Sequence, residues 1–435
     1  MARRGRAAAA VVGLTVALSG CWPAPGQGPD RQSWNPLETA IDVDDVDTLT
    51  EVWTSPVGWL RPGEFPLFFP EPAAHPIVSN VGLVTVTTKS SIAAFDAETG
   101  TRQWIQNDNP PTGYDFDTDV VAVGDAVAVG HGNNRYGWST WERDARTGMS
   151  TGDSWPILGK GLSVRGRRAV GLRPGHGMAL GDQVVWLYFG DLDDAAAAWS
   201  GQVSTVWEPP ARVTLGADRV FHSGPGLLTS TPGDGTHVNG LRSFPVTDPP
   251  KGCGPVDEPY YLCPQWVAPL DGAGATAPIL STDGATAYTV TDVGTAYAVD
   301  TATGAILWST PVGSAVATTP ALAEGVLFVP TASGALVVLD AEDGSVRWST
   351  PTGSELTVQP AVAGEGAGGV VITGAADGTV RAFASAGCGE ATCSDVWSDA
   401  TGSRITGAPA VSLGKLFVGT EDGRLIAYAP SAAGG

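Results

Sequence analysis

The chain has 435 residues, with 58 Gly and 33 Pro, 16% charged residues and a formal net charge of −21. Gly and Pro along the whole length exclude a coiled-coil or long-helix protein, and 43% hydrophobic residues with 15 Trp exclude a solvated, disordered chain. An acidic chain without a basic cluster beyond its first residues repels phosphate, so no nucleic-acid partner is expected.

At the N-terminus, Arg3, Arg4 and Arg6 precede an apolar run from Ala7 to Leu18, too short to span a bilayer comfortably. This predicts an export signal peptide over residues 1–20. The sequence Leu18-Ser19-Gly20-Cys21 resembles the bacterial lipobox. That resemblance implies lipidation of Cys21, a membrane anchor through the lipid, and an extracytoplasmic place in the cell envelope. An ordinary secretory signal with an incidental Cys is the competing reading. Loss of the three Arg with residues 1–20 takes the net charge from −21 to −24. With Cys21 set aside, the remaining cysteines form two close pairs, Cys253/Cys263 and Cys388/Cys393, and an exported chain is expected to oxidise both. Residues 21–44 read as the lipidated Cys and a flexible tether, 45–430 as the folded domain, and 431–435 as a disordered tail.

The folded part repeats itself. Ala94-Phe95-Asp96-Ala97-Glu98-Thr99-Gly100 leads to Trp104, Ala298-Val299-Asp300-Thr301-Ala302-Thr303-Gly304 to Trp308, and Val338-Leu339-Asp340-Ala341-Glu342-Asp343-Gly344 to Trp348. A looser copy, Asp144 to Gly148, precedes Trp155. A strand ends at Asp, the polar side chains bond the turn backbone, Gly takes a positive φ, and a new strand delivers Trp. Upstream lies a second hairpin, as in Leu327 to Pro330 turning at Ser333-Gly334 into Ala335 to Leu339. Twelve residues after Trp266, Trp308, Trp348 and Trp397 comes a Pro, suited to the first residue of a strand.

Each unit is thus four short antiparallel strands, a propeller blade. The last unit stops at Leu425 to Pro430 without its Trp strand, and Leu49 to Trp53 supplies one from the other end of the chain. The expected fold is an all-β, eight-bladed propeller closed by N- and C-terminal strands. Seven blades is the fallback, because the third and fourth units are degenerate, and Trp199 and Trp207 compete to close the fourth.

The Ala-x-Asp-x-x-Thr-Gly…Trp pattern resembles the PQQ-like repeat family, strongly over 267–430, clearly at 77–104 and faintly between 105 and 266. The resemblance implies that Trp53, Trp104, Trp266, Trp308, Trp348 and Trp397 dock each blade on its neighbour. Each Cys pair falls where the Asp-x-x-Thr-Gly turn would be, so a covalent staple is expected to replace it. The family contains quinoprotein dehydrogenases, for which the resemblance implies vicinal cysteines, a Ca²⁺ site and a catalytic Asp. This chain has no adjacent cysteines, no zinc spacing among its five His, and no Gly-x-Ser-x-Gly or phosphate-loop motif. No catalytic residue, no metal and no PQQ is therefore expected.

The family also contains BamB-like lipoproteins, which implies a non-catalytic envelope scaffold that binds a protein partner. Alternatives are a PQQ-dependent dehydrogenase or a small-ligand or glycan-binding propeller. Candidate contacts lie where the chain departs from the repeat. Between Trp53 and Pro76 there are eleven extra residues, including Trp59, Phe65, Phe68 and Phe69. They form either a partner surface or a plug over the channel. A polar-aromatic hairpin tip carries His131, Arg135 and Tyr136, and 173–199 is a third irregular stretch.

Overall fold

A computed structural model of the chain describes residues 22, 24, 28, 30–60, 68–88, 91–106, 117–133, 137–154, 160–176, 183–191, 197–204, 212–227, 237–253, 260–274, 276–316 and 318–431. Cys21, the predicted signal peptide and residues 432–435 lie outside them, as do Trp155 and Trp207. Eight antiparallel four-stranded sheets form the ring of an eight-bladed β-propeller. In chain order the blades begin with the strands Ile77–Val78, Asp117–Val123, Lys160–Arg165, Arg212–Leu215, Ile279–Leu280, Ala321–Ala323, Ala361–Ala363 and Ile405–Ser412, and are numbered one to eight. Blade eight takes its outer strand from Leu49–Pro56, which pairs with Arg424–Pro430 and closes the ring. Three of the four repeat prolines stand immediately before a first strand. Pro409 instead lies inside Ile405–Ser412, where the register shifts between Gly407 and Ala410, a bulge that removes the need for its missing N–H.

Burial explains the strand sequences. The middle strands face a neighbouring blade on both sides, so Val326–Pro330 is buried at every position. The outer strand Val346–Pro351 mixes exposed and buried residues because one of its edges meets solvent. The cores accordingly run between blades.

The fourth-strand tryptophans sit at these interfaces. The indole N–H of Trp53 donates to Ala97 O, 3.1 Å, in the next blade. Trp104 reaches Ala145 O, Trp266 Thr301 O and Trp308 Ala341 O, in each case the residue after the turn Asp. Trp397 reaches Leu49 O in blade eight. Trp199 opens the outer strand of blade three, stacks on Phe189 and donates to Val246 O, so it occupies the position for which Trp207 competed. Among the described residues Trp348 differs: its buried N–H has no partner there. In the blade it faces, the Asp turn is replaced by the loop of the Cys388–Cys393 disulfide, whose neighbour Gly387 abuts the indole. The Cys253–Cys263 disulfide staples the corresponding connection of blade four.

The described part of the expected tether is not a tether, which corrects the reading of 21–44. Trp22 is 1% exposed and exchanges both backbone hydrogen bonds with Val78 of blade one. Ala24 is buried with Val121, Ala128 and Leu162 of blades two and three. The Arg31 guanidinium donates to Leu162 O and Val213 O, at 2.7 and 3.2 Å, bridging blades three and four. Asp30 O accepts from Leu280 N of blade five, and Gln32 O from Leu322 N of blade six. Ser33 donates to Pro360 O, Trp34–Asn35 adds to blade seven as a parallel fifth strand, and the Asn35 amide donates to Val411 O of blade eight. This strap touches every blade. Arg31 and Ser33 adopt left-handed φ values of 58° and 57°, which cost about 1–2 kcal/mol each; the buried hydrogen bonds of their side chains offset that cost. Periodicity could not reveal the strap, because its partners are backbone groups of distant strands.

The turn glycines carry the docking geometry. Gly100 has φ +67° and a Cβ there would lie 2.5 Å from the Trp53 ring, whereas Gly82, φ +77°, has nothing within 4 Å. We expect Gly100→Ala to lower stability by about 2–4 kcal/mol, the left-handed cost plus overpacking. Gly82→Ala should lose only about 1–2 kcal/mol. Denaturant unfolding of the two variants measures the difference, and equal losses would remove the wedge from the account.

Candidate functional site

Because every blade is an antiparallel meander, the first-to-second and third-to-fourth turns share one face of the ring. The second-to-third turns share the other with the interblade connections. The strap lies on the first face: Gln32 reaches Thr282 in the first turn of blade five, and Glu38 accepts from Gly414 N in that of blade eight. Among the described residues the strap bonds no second-to-third turn, and the opposite face is called the open face.

That open face is uneven. The second strands of blades five, six and seven have five residues each. Those of blades two, three and four have eight, nine and nine. In blades four and six alike, the first-strand pairing begins near the first turn, so the extra residues extend the opposite end. Four residues add roughly 13 Å. Three neighbouring hairpins therefore rise above the rest of this face.

The insertion between blades eight and one lies on the same face and forms a two-stranded hairpin. Gly58–Leu60 pairs with Phe68–Pro70, setting Trp59 opposite Phe69 and Leu60 opposite Phe68. Its base is tied to the turns beside it, Val57 N to Gly423 O and Glu71 Oε2 to the Thr88 hydroxyl. His131 lies in the long hairpin of blade two, opposite Thr118 and Ser139. Phe65, Arg135 and Tyr136 fall outside the described residues. The described residues Trp59, Phe68, Phe69 and His131 thus belong to hairpins of one face, although in different blades.

A buried polar pair was not anticipated. His222 and Arg242 stand opposite each other in blade four, fully buried and 1% exposed respectively, on the side that packs against blade three. Arg242 donates to the carbonyls of Gly224, Gly240 and Val238. Burial lowers its pKa to about 9, which leaves it charged at neutral pH. Burial, reinforced by the Arg242 charge, lowers His222 to about 3, and neither ring nitrogen has a partner among the described residues. The only hint in the sequence is a pair of polar residues at positions where the strand alternation asks for apolar ones.

On the strap face, a recess of about 380 Å³ between blades five and six is lined by Gln32, Trp34, Asp283, Tyr288 and Glu324. Among the described residues no group of three or more His, Cys, Asp or Glu could hold a metal ion. Both disulfides lie in third-to-fourth connections, at the outside of their blades and away from the channel.

With this geometry in hand, comparison with known proteins is informative. The family model described as outer membrane protein assembly factor BamB matches residues 264–388. The one described as glucose/ethanol/alcohol dehydrogenase, beta-propeller domain, matches residues 22–142. Over these two stretches the blades match PQQ-type repeats. A sequence search of the curated proteins finds no match.

Among solved structures, this propeller is similar to a europium-containing methanol dehydrogenase, with TM-score 0.63 and 14% identity over 94% of this chain and 98% of that one. It is also similar to BamB from Moraxella catarrhalis, TM-score 0.53 and 14% identity, covering 88% and 99%. The computationally designed Ika8 protein gives TM-score 0.53 and 16% identity, covering 82% and 96%. At such identities the likeness is one of fold.

His222 makes the propeller acid-sensitive in a definite window. Its folded pKa lies below the ordinary 6.5, so the unfolded chain takes up a proton that the folded chain refuses. Stability is full above pH 6.5 and is lost as pH falls towards 3, by about 2 kcal/mol at pH 5. Asp300, held below the ordinary carboxylate value by the Thr303 hydroxyl and N–H, acts only at lower pH. Unfolding curves between pH 7 and 4.5 should therefore flatten in His222→Leu.

Proposed function

We propose that this protein is a non-catalytic, lipid-anchored scaffold of the cell envelope that binds a protein partner through the open face. The observation that carries this reading is the asymmetry of the ring. One face is crossed by its own N-terminal strap, while the other presents three lengthened hairpins and the 58–70 hairpin. Rigid blades that hold unequal hairpins offer a shaped surface rather than a flat one, and recognition resides on such loops. The apolar strands Gly58–Leu60 and Phe68–Pro70 are the first contact assigned to the partner, with Trp59, Phe68 and Phe69 as its anchors. The BamB match supports a role in protein assembly at an envelope, and Cys21 supplies the anchor. No described helix is long and apolar enough to cross a membrane.

The second reading, a PQQ-dependent dehydrogenase, is favoured by the match over 22–142 and by the likeness to the methanol dehydrogenase. The residues present do not fit the quinone on the pattern that the resemblance implies. No cysteines are adjacent, and the four that pair lie in connections at the outside of the blades. Chemical crosslinking in intact cells, followed by capture, should recover a partner that is lost when residues 60–70 are deleted. An unchanged set of partners would remove the hairpin from the interface. Dye-linked dehydrogenase activity on adding PQQ and Ca²⁺ would overturn the scaffold reading altogether.

A further inference from the structure

The strap also fixes where an anchor at residue 21 must be. Trp22 is paired antiparallel to Val78, the last residue of the first strand of blade one. That strand runs from the open face to the strap face, because it leads into the first turn at Ser79 to Gly82. An antiparallel neighbour runs the other way, so the chain enters at Trp22 from the strap face. Residue 21 is one peptide unit, 3.8 Å from Cα to Cα, from a residue that is 1% exposed and doubly hydrogen-bonded. No slack separates the anchor from the ring.

We propose that the bilayer is the partner of the strap face: the propeller is held with this face toward the membrane and its long hairpins directed away. This rests on lipidation of Cys21 and adds to it an orientation. Attraction between charges does not supply that orientation. The turns of the strap face carry exposed Asp125, Asp218, Asp283 and Glu365, and the strap itself carries Asp44, Asp45 and Asp47. An anionic bilayer repels such a rim over about a Debye length, roughly 8–10 Å. The short covalent path through Trp22 overcomes that repulsion, so orientation depends on the integrity of the strap and not on salt.

The test uses the full-length protein, acylated and purified from membranes. It is reconstituted into phosphatidylethanolamine/phosphatidylglycerol vesicles bearing an energy acceptor on a lipid headgroup. A genetically encoded fluorescent residue replaces exposed Asp218 or Glu365 on the strap face, or exposed Asp292 or Asp377 on the open face. Strands of five or six residues separate the faces by roughly 17–20 Å, so energy transfer should be about three-fold or more stronger from the strap-face positions.

A flexible insertion of about twelve Gly and Ser residues between Cys21 and Trp22 reaches about 19 Å. It should level the two faces while leaving the protein bound. Equal transfer from both faces of the anchored wild type overturns the orientation and leaves lipidation standing. A Cys21 without acyl mass, in a chain that does not partition into vesicles, overturns both.

Discussion

A ring of blades exists only if each blade meets the next at a fixed rotation, and here that contact is a tryptophan laid over a glycine. Trp53, Trp104, Trp266 and Trp308 place their rings where a Cβ on Gly100, Gly148, Gly304 or Gly344 would be. Each indole N–H takes the carbonyl just after the turn Asp. The aromatic area supplies the burial and the single hydrogen bond supplies the angle. The contacts between neighbouring blades must be mutually consistent for the last blade to reach the first, so the docking geometry sets the size of the ring.

The same contact explains why the fold was legible in the sequence while the face-to-face asymmetry was not. The wedge needs Asp, Gly and Trp at fixed spacing, and where that spacing recurs it gives the hairpins and the blades. The N- and C-terminal strands of blade eight were readable because one end lacked a Trp strand and the other had a spare. The two Cys pairs were readable as staples because they occupy the turn, and the structure joins both. Trp348 shows what the staple forgoes: its N–H loses the carbonyl that the Asp turn would have offered.

The strap escaped because it obeys no period. Arg31, Gln32, Ser33 and Asn35 bond carbonyls of five different blades through side chains or backbone, and no local rule relates their order to those partners. A run of Pro and Gly without alternation reads as a linker when only neighbours in sequence are considered. His222 and Arg242 escaped for a related reason. Their burial is decided by blade three, which lies earlier in the chain and has the least regular repeats. The unevenness of the open face was partly visible, since stretches that depart from the repeat became the lengthened hairpins, but their gathering on one side is a product of the meander.

Ring closure also sets an order of events. The outer strand of blade eight is made long before its partner, with Thr54 meeting Leu425 across 371 residues. The strap precedes even that strand, yet it has a complete set of partners only when all eight blades stand. Residues made before all the blades are thus the last to be satisfied, and contacts of such long range make folding slow. Until then Trp22 and the strand Leu49–Pro56 remain available to proteases and to other unfinished chains. The N-terminal segment therefore acts as a seal of completion: only a finished ring can bury it.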